Sequence, residues 1–335
     1  MNVCAVIVTY GNRYHLLNQV IDRLLQVNVS RIIVVDNNSE NDSRQKLRAK
    51  EYDLKGTLTV ITLPENTGSA GGYKAGLEFV HSNNGCDYIW LLDDDNVPHT
   101  DALKVIVDYW NTSGVFQKEK HLCLFSYREH GPAYKELARR DSSSIDPIIG
   151  GRNSILGFTI MRPFSTRKNS ALYRGEFKER DIIMPKNHGR IPVAPYGGMF
   201  FHRALLDVIG YPDEKLFLYG DDYEYSYRIV RYGGEIILLH DSRIEDIAPS
   251  ENIGMQVEEK NIFRLYYSTR NHVYFQKSLA DNKLLYTVNY FIYLFYLKIK
   301  QKFSLHDDSV RISVISKAIN DGFHGRLGKE NSLSF

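Results

Sequence analysis

The segment 88–98 constrains the fold most, because an apolar run leads directly into three acidic residues. The sequence Ile-Trp-Leu-Leu predicts a buried strand, and Pro98 is expected to end its ladder. Three adjacent carboxylates repel one another, so an interior position requires a cation among them. Side chains alternate along an extended segment, which predicts Asp93 and Asp95 on one face and Asp94 on the other.

This Asp-x-Asp arrangement suits a hard divalent ion that in turn binds a diphosphate. For an isolated acidic triplet, a polar turn at the end of a strand, with no ligand, is the alternative. The rest of the sequence decides between these two interpretations.

The chain has the size and composition of one large domain, or of one domain with a helical extension. It has 335 residues, 43% of them hydrophobic, and a formal net charge of +2. No basic block is long enough to predict nucleic-acid binding. Cys4, Cys86 and Cys123 are far apart and odd in number, which predicts unpaired thiols and a reducing compartment. The N-terminus has no basic lead or cleavage site, so we expect no signal peptide and a cytoplasmic protein.

The N-terminal half alternates strands with helices. Apolar runs at 3–9, 31–35 and 58–62 predict strands, and residues 16–25 have helical spacing. This order is typical of a doubly wound, mostly parallel sheet with helices on both faces. Ligands bind beyond the carboxyl ends of such strands, where Thr9, Asp36, Asn66 and Asp93 are expected.

A glycine-rich stretch follows the third predicted strand, at 66–76. Small residues there allow close backbone approach to a ligand, and the next helix presents its N-terminal amides. The stretch lacks the ending of a P-loop, and it does not follow the first strand as a dinucleotide fingerprint does. A tight strand-to-helix turn without a ligand is the alternative.

Together these motifs resemble the inverting, GT-A-fold glycosyltransferases of family 2, over about residues 1–245. The Gly-Ser-Ala-Gly-Gly version and the three-acid strand end look most like the bacterial galactofuranosyltransferase and rhamnosyltransferase branch. The resemblance implies a nucleotide-donor site built from Thr9, Tyr10, Arg13, Asp36, Asn38, Asn66, Gly68, Gly71, Gly72, Asp93 and Asp94. It also implies Mn²⁺ or Mg²⁺ held by Asp93, Asp95 and His240, although a lone histidine at a strand end is usually structural.

A second acidic cluster lies at 221–224, at the predicted start of a helix. The helix dipole favours one acid there, but N-capping does not explain three acids in four residues. By the resemblance, this position carries the general base that deprotonates the acceptor hydroxyl. We assign Asp222 as the base, with Asp221 and Glu224 as alternatives, and Gly197, Gly198, Tyr219 and Arg270 as acceptor or diphosphate candidates.

The predicted domain organisation is a GT-A domain over 1–245 and a C-terminal helical extension over 246–335. Within the first, 1–114 is the donor half and 196–245 the acceptor and catalytic-base half. Residues 115–195 are an insertion of loops between them, which is either part of an acceptor lid or a solvated loop. A strand is predicted at 182–185. Arg270, in a Tyr-Tyr-x-x-Arg-Asn element, either meets a diphosphate or braces a helix.

Residues 284–297 form an aromatic segment that is shorter than a bilayer span and interrupted by Asn289, and Lys298, Lys300 and Lys302 follow it. It is either a helix buried in the core or in a dimer interface, or a helix on the inner face of the membrane. A dimer interface would make the chain a homo-oligomer.

The predicted function is metal-dependent, inverting transfer of a sugar from a nucleotide donor to a lipid-linked bacterial surface glycan of O-antigen or capsule type. UDP-galactofuranose is the first choice of donor, followed by dTDP-rhamnose and a UDP-hexopyranose. A sugar nucleotidyltransferase is the alternative from another class, but the chain lacks its glycine-rich basic loop after the first strand. A protein that only binds its ligands would leave the second acidic cluster without a role.

Overall fold

The computed structural model describes residues 1–83, 85–128, 132–161, 186–248 and 257–330. These residues fall into two compact units. The first contains the described parts of 1–143, 186–214 and 222–248, and the second contains 144–161, 215–221 and 257–330. The predicted boundary at 245 is close to the last of these divisions. The predicted organisation did not anticipate that 144–161 and 215–221 belong with the C-terminal helices.

The first unit is built on one sheet. The strands that the structure describes are β1 (Val3–Gly11), β2 (Arg31–Ser39), β3 (Leu58–Thr62), β4 (Tyr88–Asp93), β5 (Asn96–Pro98), β6 (Leu122–Arg128), β7 (His188–Ile191), β8 (Met199–His202) and β9 (Glu235–Asp246). Their order in the sheet is β3-β2-β1-β4-β8-β6-β9-β5, and β7 pairs with β9. The long ladders β1–β2, β1–β4, β2–β3 and β6–β9 are parallel, and β5, β7 and β8 add short antiparallel ladders. The predicted mostly parallel α/β sheet is therefore confirmed.

Helices connect these strands and cover the sheet. In the first unit they are α1 (Tyr14–Gln26), α2 (Asn41–Asp53), α3 (Gly68–Ser82), α4 (Ala102–Thr112), α5 (Lys118–His121), α6 (Pro132–Arg140), α8 (Leu206–Ile209) and α9 (Asp221–Arg231), whose first residue is grouped with the second unit. The buried face of α1 presents Leu17, Val20, Ile21 and Leu24 at helical spacing. These side chains join the core formed by the central strands.

The parallel register places the polar strand ends at one level. Thr9 pairs with Asp36 across β1 and β2, and Val8 pairs with Asp93 across β1 and β4. The prediction that Thr9, Asp36 and Asp93 lie at the same edge of the sheet is confirmed.

The prediction of loops throughout 115–195 is wrong for the central strand β6. Residues 122–127 are buried, and β6 lies between β8 and β9 in the sheet. The polar residues on either side obscured this apolar run. Pro98 does not end the β4 ladder either, because β4 ends at Asp93 and Pro98 closes β5 at the edge of the sheet, where a missing N–H is tolerated. Residues 162–185 of the predicted insertion, which include the predicted strand at 182–185, lie outside the described residues.

The prediction that all cysteines are unpaired is also wrong. Cys4 and Cys86 form a disulfide, with their Cα atoms 5.8 Å apart, and Cys123 is a buried free thiol. The two partners are 82 residues apart in the sequence. The fold nevertheless brings them together, because Cys4 lies in β1 and Cys86 lies two residues before the neighbouring strand β4. The cytoplasmic location stays a prediction without this support.

The second unit is helical, with α7 (Asp146–Ile149), α10 (Val257–Ser278), α11 (Lys283–Lys302) and α12 (His306–His324). One of its apolar clusters joins Val273, Tyr286, Tyr290, Ile319 and Phe323, and the rings of Tyr290 and Phe323 stack at 3.7 Å between centroids. This packing orders the C-terminal helices around their own core.

We predict that Gly76→Ala destabilises the first unit by about 1–3 kcal/mol, because α3 packs closely against the sheet. A Cβ atom on Gly76 would lie 2.6 Å from Val6 Cγ1 and 3.1 Å from Val35 Cγ2. Gly114→Ala is the matched control, since a Cβ there meets nothing within 4 Å. Urea unfolding of both variants measures the difference, and equal stability would contradict the close packing.

We predict that His272 makes the stability of the protein depend on pH. Burial lowers the pKa of His272 to about 4, below the ordinary value of 6.5. Between pH 4 and 6.5 the unfolded chain therefore binds more protons at this histidine than the folded protein does. The free energy of unfolding is accordingly highest above pH 6.5 and decreases as the pH falls toward 4. Melting temperatures at several pH values should fall less steeply for His272→Gln than for the wild type. Parallel slopes would show that His272 does not titrate in this way.

Candidate active site

Only the first of the three acids lies in an extended strand, and the other two lie in a tight turn. β4 ends at Asp93, the chain turns through Asp94 and Asp95, and β5 begins at Asn96. The alternation predicted for an extended segment therefore does not hold. Asp94 is buried and shares a guanidinium with Asp95, whereas Asp93 points to a different arginine.

Arg13, in the turn between β1 and α1, binds two of these acids. Its Nη2 lies 2.7 Å from Asp94 Oδ1 and 2.8 Å from Asp95 Oδ2, and its Nε donates to both oxygens of Asp94 at 2.9 Å. Thr9 Oγ1 donates to Asp94 Oδ2 at 2.8 Å, and the Arg13 guanidinium lies over the Tyr10 ring. Thr9 and Arg13, predicted as nucleotide contacts, therefore hold the acidic turn in this arrangement.

Two charged residues of the site were missed from the sequence. Arg128 ends β6, and its Nη1 lies 3.1 Å from Asp93 Oδ2 while its Nη2 lies 2.8 Å from Asp246 Oδ1. Asp246 ends β9, which continues six residues beyond His240, where a strand end was predicted. β6 and β9 are parallel neighbours, so Arg128 and Asp246 reach the site from the carboxyl ends of their strands.

Neutral groups fix the remaining oxygens. The Tyr73 hydroxyl lies 2.7 Å from Asp93 Oδ1 and 2.8 Å from the Leu92 carbonyl oxygen. Burial and the Asp93 charge raise the pKa of Tyr73 well above its usual value, so the hydroxyl keeps its proton. Asn96 accepts from the Asp93 amide at 3.2 Å and donates to Asp95 Oδ1 at 3.2 Å and Asp246 Oδ1 at 2.5 Å. A single buried side-chain amide thus bonds to the backbone of Asp93 and to the carboxylates of Asp95 and Asp246.

The site carries more acid than base. Burial, with repulsion from Asp93 and Asp94, raises the pKa of Asp95 to about 7. Burial also raises the pKa of Asp94, although Arg13 and Thr9 oppose the change. For Arg128, burial lowers the pKa, but the charges of Asp93 and Asp246 outweigh it and raise the pKa above its usual value.

The end of β2 is held by internal bonds. Asp36 is fully buried, and it accepts from the Ser39 amide at 2.7 Å and from Arg44 Nε at 3.0 Å. Asn38 is exposed, has a φ of 61° and accepts from Arg44 Nη2. The structure thus gives the Asp36 carboxylate a local partner and leaves Asn38 at the surface.

The glycine-rich stretch packs a helix against the sheet. Asn66 Oδ1 accepts from the Gly68 amide at 2.9 Å, and Gly68 has a φ of 73°. A Cβ on Gly72 would lie 2.6 Å from Val8 Cγ1, and one on Gly71 would collide with the Thr67 side chain. Gly71 and Gly72 are therefore required for local packing, which is the alternative that the sequence left open.

His240 is not brought together with the predicted metal ligands. Its Nδ1 lies 3.4 Å from Asp241 Oδ1, and its ring stacks on Tyr127 at 5.1 Å. Among the residues that the structure describes, no three histidine, cysteine or acidic side chains are gathered as a metal site. The Asp93, Asp95 and His240 set is thus not assembled in this arrangement.

Gly197 and Gly198 lie beside the acidic turn. A Cβ on Gly197 would collide with Asn96 Oδ1 and approach Asp93 Oδ2 at 2.7 Å. The Gly198 amide donates to the Leu91 carbonyl oxygen at 2.8 Å, and its φ is 113°. Both glycines therefore shape the protein around Asp93.

The three acids of the second cluster differ in their exposure and in their partners. Glu224 binds Arg228 through both oxygens, at 3.0 and 2.6 Å, and is thereby committed to an ion pair. Asp221 is 2% exposed, whereas Asp222 keeps part of its surface. Next to Asp222, the hydroxyls of Tyr134 and Tyr223 are 2.7 Å apart, and burial, Tyr223 and Asp222 together raise the pKa of Tyr134.

Arg270 braces the second unit and does not present its charge to solvent. It is 1% exposed, and it donates to the Gly328 and Leu216 carbonyl oxygens at 2.6 and 2.9 Å. Asn271 Nδ2 donates to the carbonyl oxygens of 216, 218 and 219 at 2.8–2.9 Å. Of the two roles considered for Arg270, the structure favours the bracing one. Tyr219 has a φ of 61° and lies under the Arg264 guanidinium.

A family model described as "Glycosyltransferase like family 2" matches residues 2–268. The chain belongs to this family.

Curated relatives within this family are distant. A galactofuranosyltransferase GlfT1 of Mycolicibacterium smegmatis is 26% identical over 236 residues, which cover 69% of this chain and 66% of the relative. The Mycobacterium tuberculosis GlfT1 is 26% identical over 203 residues, and only 55% of its length is covered. A dTDP-rhamnosyl transferase RfbF of Shigella flexneri is 22% identical over 273 residues, covering 81% of this chain and 78% of the relative. The chain thus spans between about half and two thirds of the GlfT1 relatives.

Solved structures place the family 2 fold among the GT-A glycosyltransferases. GalNAc-T7 with UDP, GalNAc and Mn²⁺ has a TM-score of 0.54 at 14% identity, over 96% of this chain and 55% of that one. The mannosyltransferase PcManGT from Pyrobaculum calidifontis, in complex with GDP-Man and Mn²⁺, has a TM-score of 0.53 at 13% identity, over 97% and 88%. At this identity the likeness shows the GT-A fold alone.

The chemistry of the acidic turn fits a hard divalent cation. The atoms at the turn that could coordinate a metal ion are carboxylate and amide oxygens, which Mg²⁺ and Mn²⁺ prefer as ligands. Four carboxylates, of Asp93, Asp94, Asp95 and Asp246, face the two guanidiniums of Arg13 and Arg128. Burial, and after it repulsion from Asp93 and Asp94, raises the pKa of Asp95. A further cation would offset this repulsion.

We predict that Asn96→Asp destabilises this family 2 domain by about 1–3 kcal/mol, because an isosteric acid cannot donate to Asp95 and Asp246 and adds repulsion. Added Mn²⁺ should restore part of the lost stability. The matched control is Asn18→Asp, which removes a donor to Asp22 on the surface of α1. Thermal unfolding with and without Mn²⁺ measures both effects. A loss that Mn²⁺ leaves unchanged would contradict a cation site at the turn.

Proposed function

We propose that the chain is a metal-dependent, inverting glycosyltransferase that uses a nucleotide-sugar donor, with UDP-galactofuranose as the first choice. The observation that supports the proposal most strongly is the turn at 93–95, where four acids from the carboxyl ends of β4 and β9 meet two arginines of the described chain. A strand-end site of this charge suits a cation that binds a diphosphate.

The donor would bind at the carboxyl edge of β1, β2 and β4. Tyr10 is 39% exposed there, and Asn38 is exposed at the end of β2, so both are available to a base or ribose. Thr9 and Arg13 would act indirectly by holding Asp94 in place. Asp93 and Asp95 are the residues that would hold Mn²⁺ or Mg²⁺.

Leaving-group departure needs positive charge at the diphosphate. A bound divalent cation would supply most of it as a Lewis acid. Arg128 would be the second source of positive charge. It lies at the acidic site, where three of its N–H groups donate to Asp93 and Asp246. Its planar fork also matches phosphate oxygens.

Asp222 would deprotonate the acceptor hydroxyl. It is partly exposed, whereas Asp221 is buried and Glu224 is held by Arg228. A single displacement that inverts the anomeric carbon needs one base on the side opposite the leaving group, and no second nucleophilic carboxylate. The hydroxyl would attack the anomeric carbon as its proton passes to Asp222 and the nucleoside diphosphate departs.

The choice of donor rests on the named relatives. GlfT1 proteins support galactofuranose, RfbF supports dTDP-rhamnose as the second candidate, and a UDP-hexopyranose is the third. The acceptor would be a hydroxyl on a lipid-linked surface glycan of O-antigen or capsule type. Membership of family 2 makes a nucleotidyltransferase much less favoured.

We predict that Asp222→Asn lowers turnover by about 10²–10⁴-fold, the usual contribution of a general base, without changing nucleotide affinity. Asp221→Asn and Glu224→Gln are the control variants on the same helix. Steady-state transfer rates and UDP titration of each variant separate catalysis from binding. Full turnover in Asp222→Asn would move the base to one of the other two acids.

We predict that the nucleotide of the true donor raises the melting temperature of the protein only when Mn²⁺ is present. The panel is UDP, dTDP, GDP and CMP, each with and without the metal. Stabilisation by UDP would support galactofuranose or a hexopyranose, and stabilisation by dTDP would support rhamnose. The absence of any metal-dependent shift would contradict the proposed donor site.

A further inference from the structure

The helix α11 presents a continuous apolar surface to solvent. We define this outer face by the exposed residues Leu284, Phe291, Ile292, Phe295, Tyr296, Ile299 and Phe303. Phe295 is 66% exposed and Phe303 is 86% exposed, and Leu305 beyond the helix is 83% exposed. At 100° per residue, the outer face covers an arc of about 140° along a helix about 30 Å long.

The opposite side of α11 is already occupied. Tyr286, Tyr290 and Leu297 are buried in the core of the second unit. Asn289 is also buried, where it donates to the Asn153 carbonyl oxygen at 2.7 Å and accepts from the Ile160 amide at 2.8 Å. The polar residue that interrupts this aromatic segment in the sequence therefore faces inward, and the outer face keeps its apolar character.

The charges on α11 are of one sign. Lys283, Lys298, Lys300 and Lys302 are exposed, and residues 283–302 contain no acidic residue. Lys298 and Lys302 lie within or beside the arc of the outer face, three and seven residues after Phe295. A second copy of the same face would bring like charges together, whereas anionic lipid headgroups complement them.

We infer that α11 docks on an anionic lipid surface, with its outer face among the acyl chains and its lysines at the headgroups. Isolated exposed apolar residues are ordinary, but six on one face of a single helix, with a seventh at its C-cap, form an interaction patch. No described helix is long and apolar enough to cross a bilayer, so the helix would lie in the plane of the interface. Such docking would hold the chain at the surface where a lipid-linked acceptor resides.

The test is co-sedimentation of the full chain with two kinds of vesicle, phosphatidylcholine alone and phosphatidylcholine mixed with phosphatidylglycerol. The wild type should bind the anionic vesicles more tightly, and less so as salt is raised. The variant Phe291→Ser/Phe295→Ser/Phe303→Ser should bind at least about tenfold more weakly. Lys298→Gln/Lys300→Gln/Lys302→Gln should lose the preference for anionic vesicles and the salt dependence.

The matched control is Tyr52→Ser/Phe116→Ser, which removes two exposed aromatic rings of the first unit, 81% and 80% exposed. It should bind vesicles as the wild type does. Failure of the wild type to bind, or full binding by the triple serine variant, would overturn the inference. Sedimentation velocity without lipid tests whether the outer face binds a second copy of the chain. That occupant would be assigned if the wild type self-associates, the triple serine variant does not, and neither binds vesicles. No sugar nucleotide enters these measurements, so their failure leaves the proposed function standing.

Discussion

The candidate site depends on the neutralisation of one buried carboxylate and three half-buried ones by two guanidiniums that come from distant parts of the chain. Arg13 follows β1 and holds Asp94 and Asp95, while Arg128 ends β6 and holds Asp93 and Asp246. Neither arginine alone reaches all four acids, and an unpaired charge on the buried Asp94 would be unfavourable by several kcal/mol. Correct pairing of β6 and β9 is therefore a condition for the acidic turn, and the fold and the site are specified together.

This dependence explains what the sequence could and could not predict. The strand ends Thr9, Asp36 and Asp93 were predicted at one edge because parallel strands align their carboxyl ends, and the register confirms it. Arg128 and Asp246 were not found, since their place follows from the long-range ladder β6–β9, and polar neighbours hid β6. The turn at 94–95 also brings Asp95 to the same arginine as Asp94, although Asp95 was expected to face the same way as Asp93. Side-chain alternation holds only while the chain stays extended.

The glycine-rich stretch shows how one local pattern serves two physical needs that sequence alone does not separate. Gly72 and Gly76 allow α3 to approach Val8 and Val6 of β1. The same close packing brings Tyr73 to Asp93, 20 residues later in the chain, with a hydroxyl–carboxylate distance of 2.7 Å. Residues chosen for packing thus position a hydrogen-bond donor in the acidic site. A ligand contact from the glycines themselves is not required to explain them.

Polar residues in the second unit have positions that their sequence context did not reveal. For both Arg270 and Asn289 the sequence left an internal role open beside a surface one, and the structure buries each and bonds it to backbone groups of its own unit. Because Arg270 is used internally, the proposed mechanism assigns the positive charge near the diphosphate to Arg128 of the first unit. Because Asn289 is used internally, α11 keeps an outer face of apolar residues and lysines. Both conclusions follow from the same rule, that a buried polar group must find its partners within the protein.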